Sequence, residues 1–122
     1  MKRLLIIDDD AAFTDICKDA LSGLNIDVRV VQNGKLGLEH VMKYHPDLIM
    51  LDVMLSGGIN GFDVAEQLQK DPKTATIPFV FLTNLESERE SAMKLGASDY
   101  LIKSNTNLQT LIPKLKKILG VP

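Results

Sequence analysis

The sequence predicts an α/β domain: a parallel sheet with helices on both of its faces. Two observations predict it. Five short apolar runs are spaced along the chain, and four of them are nearly continuous rather than alternating, as strands buried on both faces read. Between them lie segments whose apolar residues recur at helical spacing, so strand and helix alternate five times.

The runs are LLII (4–7), IDVRVV (26–31), DLIML (47–51), FVFL (79–82) and DYLI (99–102). Val28, Val30 and Val31 make the second β-branched, and Arg29 predicts a less covered position there. Phe13, Ile16, Cys17, Ala20 and Leu21 follow i, i+3, i+4 spacing after Asp10, and Gly23 stops that helix. Leu38, Val41 and Met42 mark a second helix, with Pro46 beyond its end. Phe62, Ala65 and Leu68 mark a third, ended by Asp71-Pro72. Glu86 to Leu95 reads as a fourth, closed by Gly96. Leu108, Leu111, Leu115, Ile118 and Leu119 mark a fifth. Pro113 lacks a donor and crowds the preceding turn, so this last helix is either kinked or begins near Ile112.

The chain has 122 residues, the size of one domain (1–122) with a core of its own. A formal net charge of −2 directs it to neither nucleic acid nor a membrane surface. One cysteine, Cys17, excludes an internal disulfide and fits a reducing cytoplasm. The opening apolar run is short and ends in acids, which excludes a signal peptide and a membrane span.

In an open parallel sheet, sites form outside the carboxyl ends of the strands. Asp8, Asp9 and Asp10 follow the first run, Asp52 the third, Thr83 the fourth and Lys103 the fifth. With the first, third, fourth and fifth strands central, one pocket collects Asp8, Asp9, Asp52, Thr83 and Lys103. Carboxylates at close range repel, and a hard divalent cation such as Mg²⁺ resolves the repulsion. A hydroxyl, an ammonium and Mg²⁺ around one carboxylate suit a phosphoryl group. Asp52 is then the nucleophile that takes it up as an acyl phosphate.

The stretches IIDDD, LIMLDVML, PFVFLTN and GASDYLIKS stand in an order and spacing that resembles the response-regulator receiver domain of two-component signalling. The resemblance covers the whole chain. It implies a flavodoxin-like doubly wound (βα)5 fold with strand order 2-1-3-4-5. It also implies Asp52 as phosphoacceptor, Asp9 as direct Mg²⁺ ligand, Asp8 as its neighbour acting through water, and the Met54 backbone carbonyl as a further ligand. Thr83 corresponds to the hydroxyl that moves onto the phosphoryl oxygen, Tyr100 to the aromatic switch that turns inward when Thr83 moves, and Lys103 to the phosphate-pairing lysine.

The chain departs from that pattern in places. Ser104 replaces the usual proline after the lysine, so the Lys103–Ser104 bond is expected to be either trans with a rearranged loop or a strained cis bond. Ser56 stands where a proline is common, and SGGIN is one residue longer than usual; Gly57-Gly58 permit a modified turn. Asn84 replaces a small residue. Met54 and Leu85, expected to flank the phosphoryl group, are apolar and orient no hydrolytic water.

Simpler roles account for other residues. Asp10 reads as a helix cap, Cys17 as core packing, His40 and His45 as surface residues, and Gln32-Asn33-Gly34 as a turn. Lys114, Lys116 and Lys117 read as a solvated helix end favoured by the dipole.

The expected function is a signalling switch rather than an enzyme, with at most intrinsic self-phosphorylation and autodephosphorylation. A histidine kinase or histidine phosphotransfer protein donates the phosphoryl group, and the output is binding of a downstream protein or relay of the phosphate. The chain is expected to be monomeric or to dimerise on phosphorylation. Met1 suggests a natural start, while the ending LGVP leaves open a receiver cut from a larger regulator or hybrid kinase. An Mg²⁺-dependent aspartyl phosphatase wants a second aspartate two positions after the nucleophile, where Met54 stands. A flavin carrier wants a phosphate-binding loop where this chain has DDDAA.

Overall fold

A computed structural model describes residues 1–122. The strands are β1 (Lys2–Ile7), β2 (Ile26–Val31), β3 (Leu48–Leu51), β4 (Phe79–Thr83) and β5 (Asp99–Ile102). The helices are α1 (Ala11–Ser22), α2 (Gly34–Tyr44), α3 (Gly61–Lys70), α4 (Arg89–Lys94) and α5 (Leu108–Leu119). All strand pairs are parallel, in the order β2-β1-β3-β4-β5. Chain order reverses direction across β1 and β3, which opens a crevice at their carboxyl ends.

Alternation along the strands sends side chains to opposite faces. Leu5, Ile7, Ile49, Leu51, Phe79 and Phe81 meet α2, α3 and α4 through Val41, Val64, Leu68 and Ala92. Leu4, Ile6, Leu48, Met50, Val80 and Leu82 meet α1 and α5 through Cys17, Leu21, Leu111 and Leu115. Burial of Cys17 pushes its thiol up to about 11, so it stays protonated and inert.

Local chemistry sets the helix ends. Asp10 caps α1 by accepting from the Phe13 N–H at 3.1 Å. Asn33 is more than a turn residue: it caps α2 through the Leu36 N–H. Asn60 and Asp63 form a reciprocal capping box on α3. Gly23 ends α1 without adopting positive φ; Asn25 takes the left-handed conformation instead.

Two helices differ from expectation. α4 covers only Arg89–Lys94 rather than Glu86 to Leu95. Glu88 offers no capping side-chain bond, and the segment before it is held to the sheet through Leu85 instead. α5 begins at Leu108, not near Ile112, and runs unbroken through Pro113. Asn107 starts it by accepting from the Thr110 N–H. The carbonyl that Pro113 cannot satisfy belongs to Gln109, which is exposed to water.

Lys114 is not merely solvated. It lies 3.3 Å from Asp99, which Arg89 approaches at 3.4 Å from the other side. Burial pushes the Asp99 carboxyl up, but the Tyr100 N–H and the Lys114 and Arg89 charges outweigh it and hold the group below its usual range.

Candidate functional site

The register aligns the strand ends: Ile7 pairs with Leu51, Leu51 with Phe81, and Thr83 with Ile102. Each chemistry-bearing residue therefore emerges on the same edge of the sheet. Ladder bonds continue one step past the strands. The Asp8 N–H donates to Val31 at 3.0 Å and the Asp52 N–H to Ile7 at 3.0 Å, so both acids have fixed backbones.

Asp8 is 3% exposed, Asp52 5% and Thr83 0%. Such burial of charge needs partners, and Lys103 supplies them. Its Nζ lies 2.7 Å from Asp8 Oδ2 and 3.0 Å from Asp52 Oδ2. The ammonium also sits 4.9 Å from the Phe13 ring centre, a cation–π contact that helps to seat it. Asp8 Oδ1 accepts from the Asp10 N–H at 3.0 Å, and Asp52 Oδ1 from the Met54 N–H at 3.1 Å. Burial pushes the Asp8 carboxyl up; Lys103 and the Asp10 N–H oppose this without cancelling it. Burial alone would lower Lys103, but its bonds to Asp8 and Asp52 outweigh that and raise it.

Asp9 points into solvent, yet one oxygen each from Asp8, Asp9 and Asp52 falls within 4.8 Å of the others. One ammonium faces three carboxylates, so the cluster keeps excess negative charge. An all-oxygen donor set of this kind fits a hard divalent cation. The backbone of Met54 adjoins it through the bond to Asp52, while its side chain is exposed.

Thr83 and Tyr100 meet through a residue that sequence reasoning assigned only as a flank. The Leu85 N–H donates to Thr83 Oγ1 at 3.3 Å. The Leu85 carbonyl accepts from the Tyr100 hydroxyl. Tyr100 is already turned inward and buried, with its ring against Phe81, while Thr83 still holds its bond from the Leu85 N–H. Leu85's backbone thus links the hydroxyl at the end of β4 to the aromatic ring on β5.

The loop after Lys103 resolves the two alternatives left by Ser104. No peptide bond in the chain is cis, so the strained cis form is excluded, and residues Lys103–Asn105 form a 3₁₀ turn. The Ser104 N–H donates to Asn84 Oδ1 at 3.0 Å. Proline could not make this bond. The two departures, Ser104 and Asn84, are therefore partners that tie the loop carrying Lys103 to the end of β4.

Gly57 and Gly58 both have positive φ (91° and 106°), which forms the modified turn after Asp52. Gly61 has a different role. Its N–H donates to Val53 at 2.8 Å, and a Cβ there would lie 2.1 Å from the Asp52 carbonyl oxygen. Helix α3 can start this close to the aspartate only because Gly61 lacks a side chain. Gly61→Ala is expected to destabilise the protein by about 1–3 kcal/mol through overpacking against backbone. Urea melts check this; an unchanged midpoint would show that the loop shifts freely.

A doubly wound, all-parallel sheet of order 2-1-3-4-5 with its acidic crevice at the switch point defines a flavodoxin-like α/β protein. The sequence of the response regulator receiver domain family matches residues 4–116. The chain is 36% identical over 121 residues to the DNA-binding dual master transcriptional regulator RpaA of Synechocystis, covering 98% of this chain and 49% of that protein. It is 36% identical over 104 residues to the DNA-binding response regulator MtrA of Mycobacterium tuberculosis, covering 84% of this chain and 44% of that one. The chain thus spans about half the length of these curated relatives. A putative response regulator from Chloroflexus aurantiacus superposes with a TM-score of 0.89 at 32% identity, covering 98% of each chain. The BeF3-activated receiver domain of Klebsiella pneumoniae RstA superposes at 0.87 with 28% identity, covering 97% of this chain and 98% of that one.

The chain belongs to the response regulator receiver domain family of two-component signalling. Members of this family are signalling domains, generally without enzymatic activity. No helix here is long and apolar enough to cross a membrane.

Proposed function

We propose that residues 1–122 form one phosphoacceptor domain in which Asp52 receives a phosphoryl group from a phosphohistidine. The donor is a sensor histidine kinase or a histidine phosphotransfer protein. The observation that carries this reading is the Lys103 ammonium bridging Asp8 and Asp52 at the carboxyl edge of the sheet.

Asp9, Asp52 and the Met54 carbonyl would hold Mg²⁺, with Asp8 acting through water. When bound, the cation neutralises charge on the transferring oxygens. An Asp52 oxygen attacks phosphorus and forms the new P–O bond. The N–P bond of the donor breaks, and its electron pair returns to the imidazole, which takes up a proton. Lys103, already beside Asp52, pairs a phosphoryl oxygen, and the Thr83 hydroxyl donates to another. Moving Thr83 breaks its bond from the Leu85 N–H. That frees the Leu85 segment to shift against Tyr100, and the surface of α4, β5 and α5 changes with it. Output is the binding of a downstream protein, or onward transfer of the phosphate.

The protein works in the cytoplasm, as a monomer or as a dimer formed on phosphorylation. It stands alone or as the receiver part of a longer regulator or hybrid kinase. Any catalysis is limited to its own phosphorylation and dephosphorylation. A phosphatase reading has nothing to act as its acid/base, because the position two after Asp52 carries Met54.

Titration with beryllofluoride and Mg²⁺, followed by amide NMR, tests the proposal. Saturable shifts at Asp52, Thr83, Lys103 and Tyr100 that need both components are expected; no shifts, or shifts without Mg²⁺, would refute it. Met54 and Leu85 also predict a long-lived acyl phosphate, since neither side chain can orient an attacking water. Decay over minutes or longer, followed by intact mass, is expected; loss within seconds contradicts this.

A further inference from the structure

On the sheet face that packs on α2 and α3, the β1–β2 corner is polar and charged. Leu5, Ile7 and Val31 lie in that core. By alternation Arg3 shares their face, and the register sets Asp27 beside Arg3 and Arg29 beside Leu5. The last turns of α2 lay His40, Lys43 and Tyr44 over this corner. These six residues line an open cleft of about 300 Å³.

The cleft is cationic and partly preorganised. Arg29 Cζ stands 4.5 Å from the centre of the Tyr44 ring and Arg3 Cζ 5.5 Å. Arg3 Nη1 also donates to the Tyr44 carbonyl at 2.7 Å. Tyr44 is itself buried, and its hydroxyl donates to the Asp27 carbonyl at 2.8 Å. A fixed ring therefore holds two guanidinium groups in place, which removes much of the rotamer entropy that anion binding otherwise costs. The one carboxylate, Asp27, reaches Arg29 only at 4.0 Å. Lys43 and His40 add further donors. The chain as a whole carries a net charge of −2, so this local excess of positive charge runs against the molecule's overall field.

We infer that this corner is a binding site for a small phosphate-bearing anion, with its phosphate oxygens on Arg3, Arg29 and Lys43. Forked guanidinium groups match phosphate geometry, and a lining with Tyr44 as its one apolar member disfavours apolar ligands. The cleft lies toward the amino ends of β1 and β2, whereas Asp8 and Asp52 follow the carboxyl ends of their strands. The inference is thus independent of phosphoryl transfer. The bound group is either free inorganic phosphate or the phosphate of an organic ester.

Amide NMR of the full chain without Mg²⁺ tests it, with inorganic phosphate, ribose 5-phosphate and neutral ribose as probes. Saturable shifts are expected at Arg3, Asp27, Arg29, Lys43 and Tyr44, and none with ribose. Arg29→Gln and Lys43→Gln should each weaken binding roughly tenfold, as loss of a charge-assisted hydrogen bond does, with the thermal midpoint unchanged for the exposed Lys43. Equal affinity for both phosphates marks the free ion as sufficient; preference for the ester marks an organic ligand. Shifts that fail to saturate, that appear equally along Lys114, Lys116 and Lys117, or that survive both substitutions overturn the inference.

Discussion

Lys103→Met is expected to slow phosphoryl acceptance by roughly 10²–10³-fold, the usual cost of removing one preorganised charge donor from a transferring group. It should also destabilise the metal-free protein. Lys103 is the one cation bonded to both Asp8 and Asp52, and its side chain is only 10% exposed. Without it two buried carboxylates face each other, at a cost of about 3 kcal/mol at neutral pH. The pH dependence has a definite sign. The Asp8 carboxyl is already raised in the folded state, chiefly by burial. An acid raised on folding binds its proton more readily folded than unfolded, so stability grows as pH falls through its raised folded value toward the unfolded one. Acidification should therefore restore part of the loss, and Mg²⁺ should do the same at neutral pH. In the wild type, Lys103 is raised above its ordinary value of 10.5. Its contribution is complete below that value and is lost only as pH rises through the still higher folded one. Urea melts of both proteins across pH, with and without Mg²⁺, check these signs. Equal stability of variant and wild type at neutral pH would mean that the bridge contributes nothing.

Asp52→Asn should abolish phosphoryl acceptance and leave the fold intact. The amide is isosteric, and its one oxygen keeps one of the two bonds Asp52 makes here, the Met54 N–H to Oδ1 or Lys103 to Oδ2; the other donor then faces the amide NH2. Removing a charge from a group of three close carboxylates relieves repulsion and offsets the one lost bond, so the metal-free midpoint should stay close to that of the wild type. Mg²⁺ affinity should fall at least tenfold, since hard cations depend on ligand charge. Calorimetric titration with Mg²⁺ and a thermal melt separate these outcomes. A variant that unfolds would show that the carboxylate is structural rather than functional.

Much of this was legible in the residues, because the strands are short, continuous and apolar and end in acids. A charge at the end of a buried run has few places to go, so Asp8, Asp52 and Lys103 could be placed at one edge before any coordinates. What depended on contacts across the fold could not be read. Gly61 looks like an ordinary helix-start glycine until the Asp52 carbonyl is found against it. Asn84 and Ser104 are 20 residues apart and read as separate oddities; only the fold pairs them. Leu85 acts through its backbone, for which no side-chain pattern exists. Pro113 predicted either a kink in α5 or a start near Ile112; the helix begins at Leu108 and runs through Pro113, and the Gln109 carbonyl left unpaired faces water. The short α4 reflects a missing cap, and the acidic composition of the segment hid this behind good helix formers. At the β1–β2 corner, Arg3, Asp27 and Arg29 scarcely disturb the strand pattern, and their shared face emerges only from the register.

The central claim is that Asp52, with Mg²⁺ beside it, takes a phosphoryl group from a donor. The most direct measurement is the intact mass of the full chain after incubation with acetyl phosphate, with Mg²⁺ or with a chelator, for wild type and Asp52→Asn. The account predicts one added phosphoryl group on the wild type with Mg²⁺, and none with the chelator or on the variant. An adduct that persists in Asp52→Asn, or that forms equally without the metal, would contradict it.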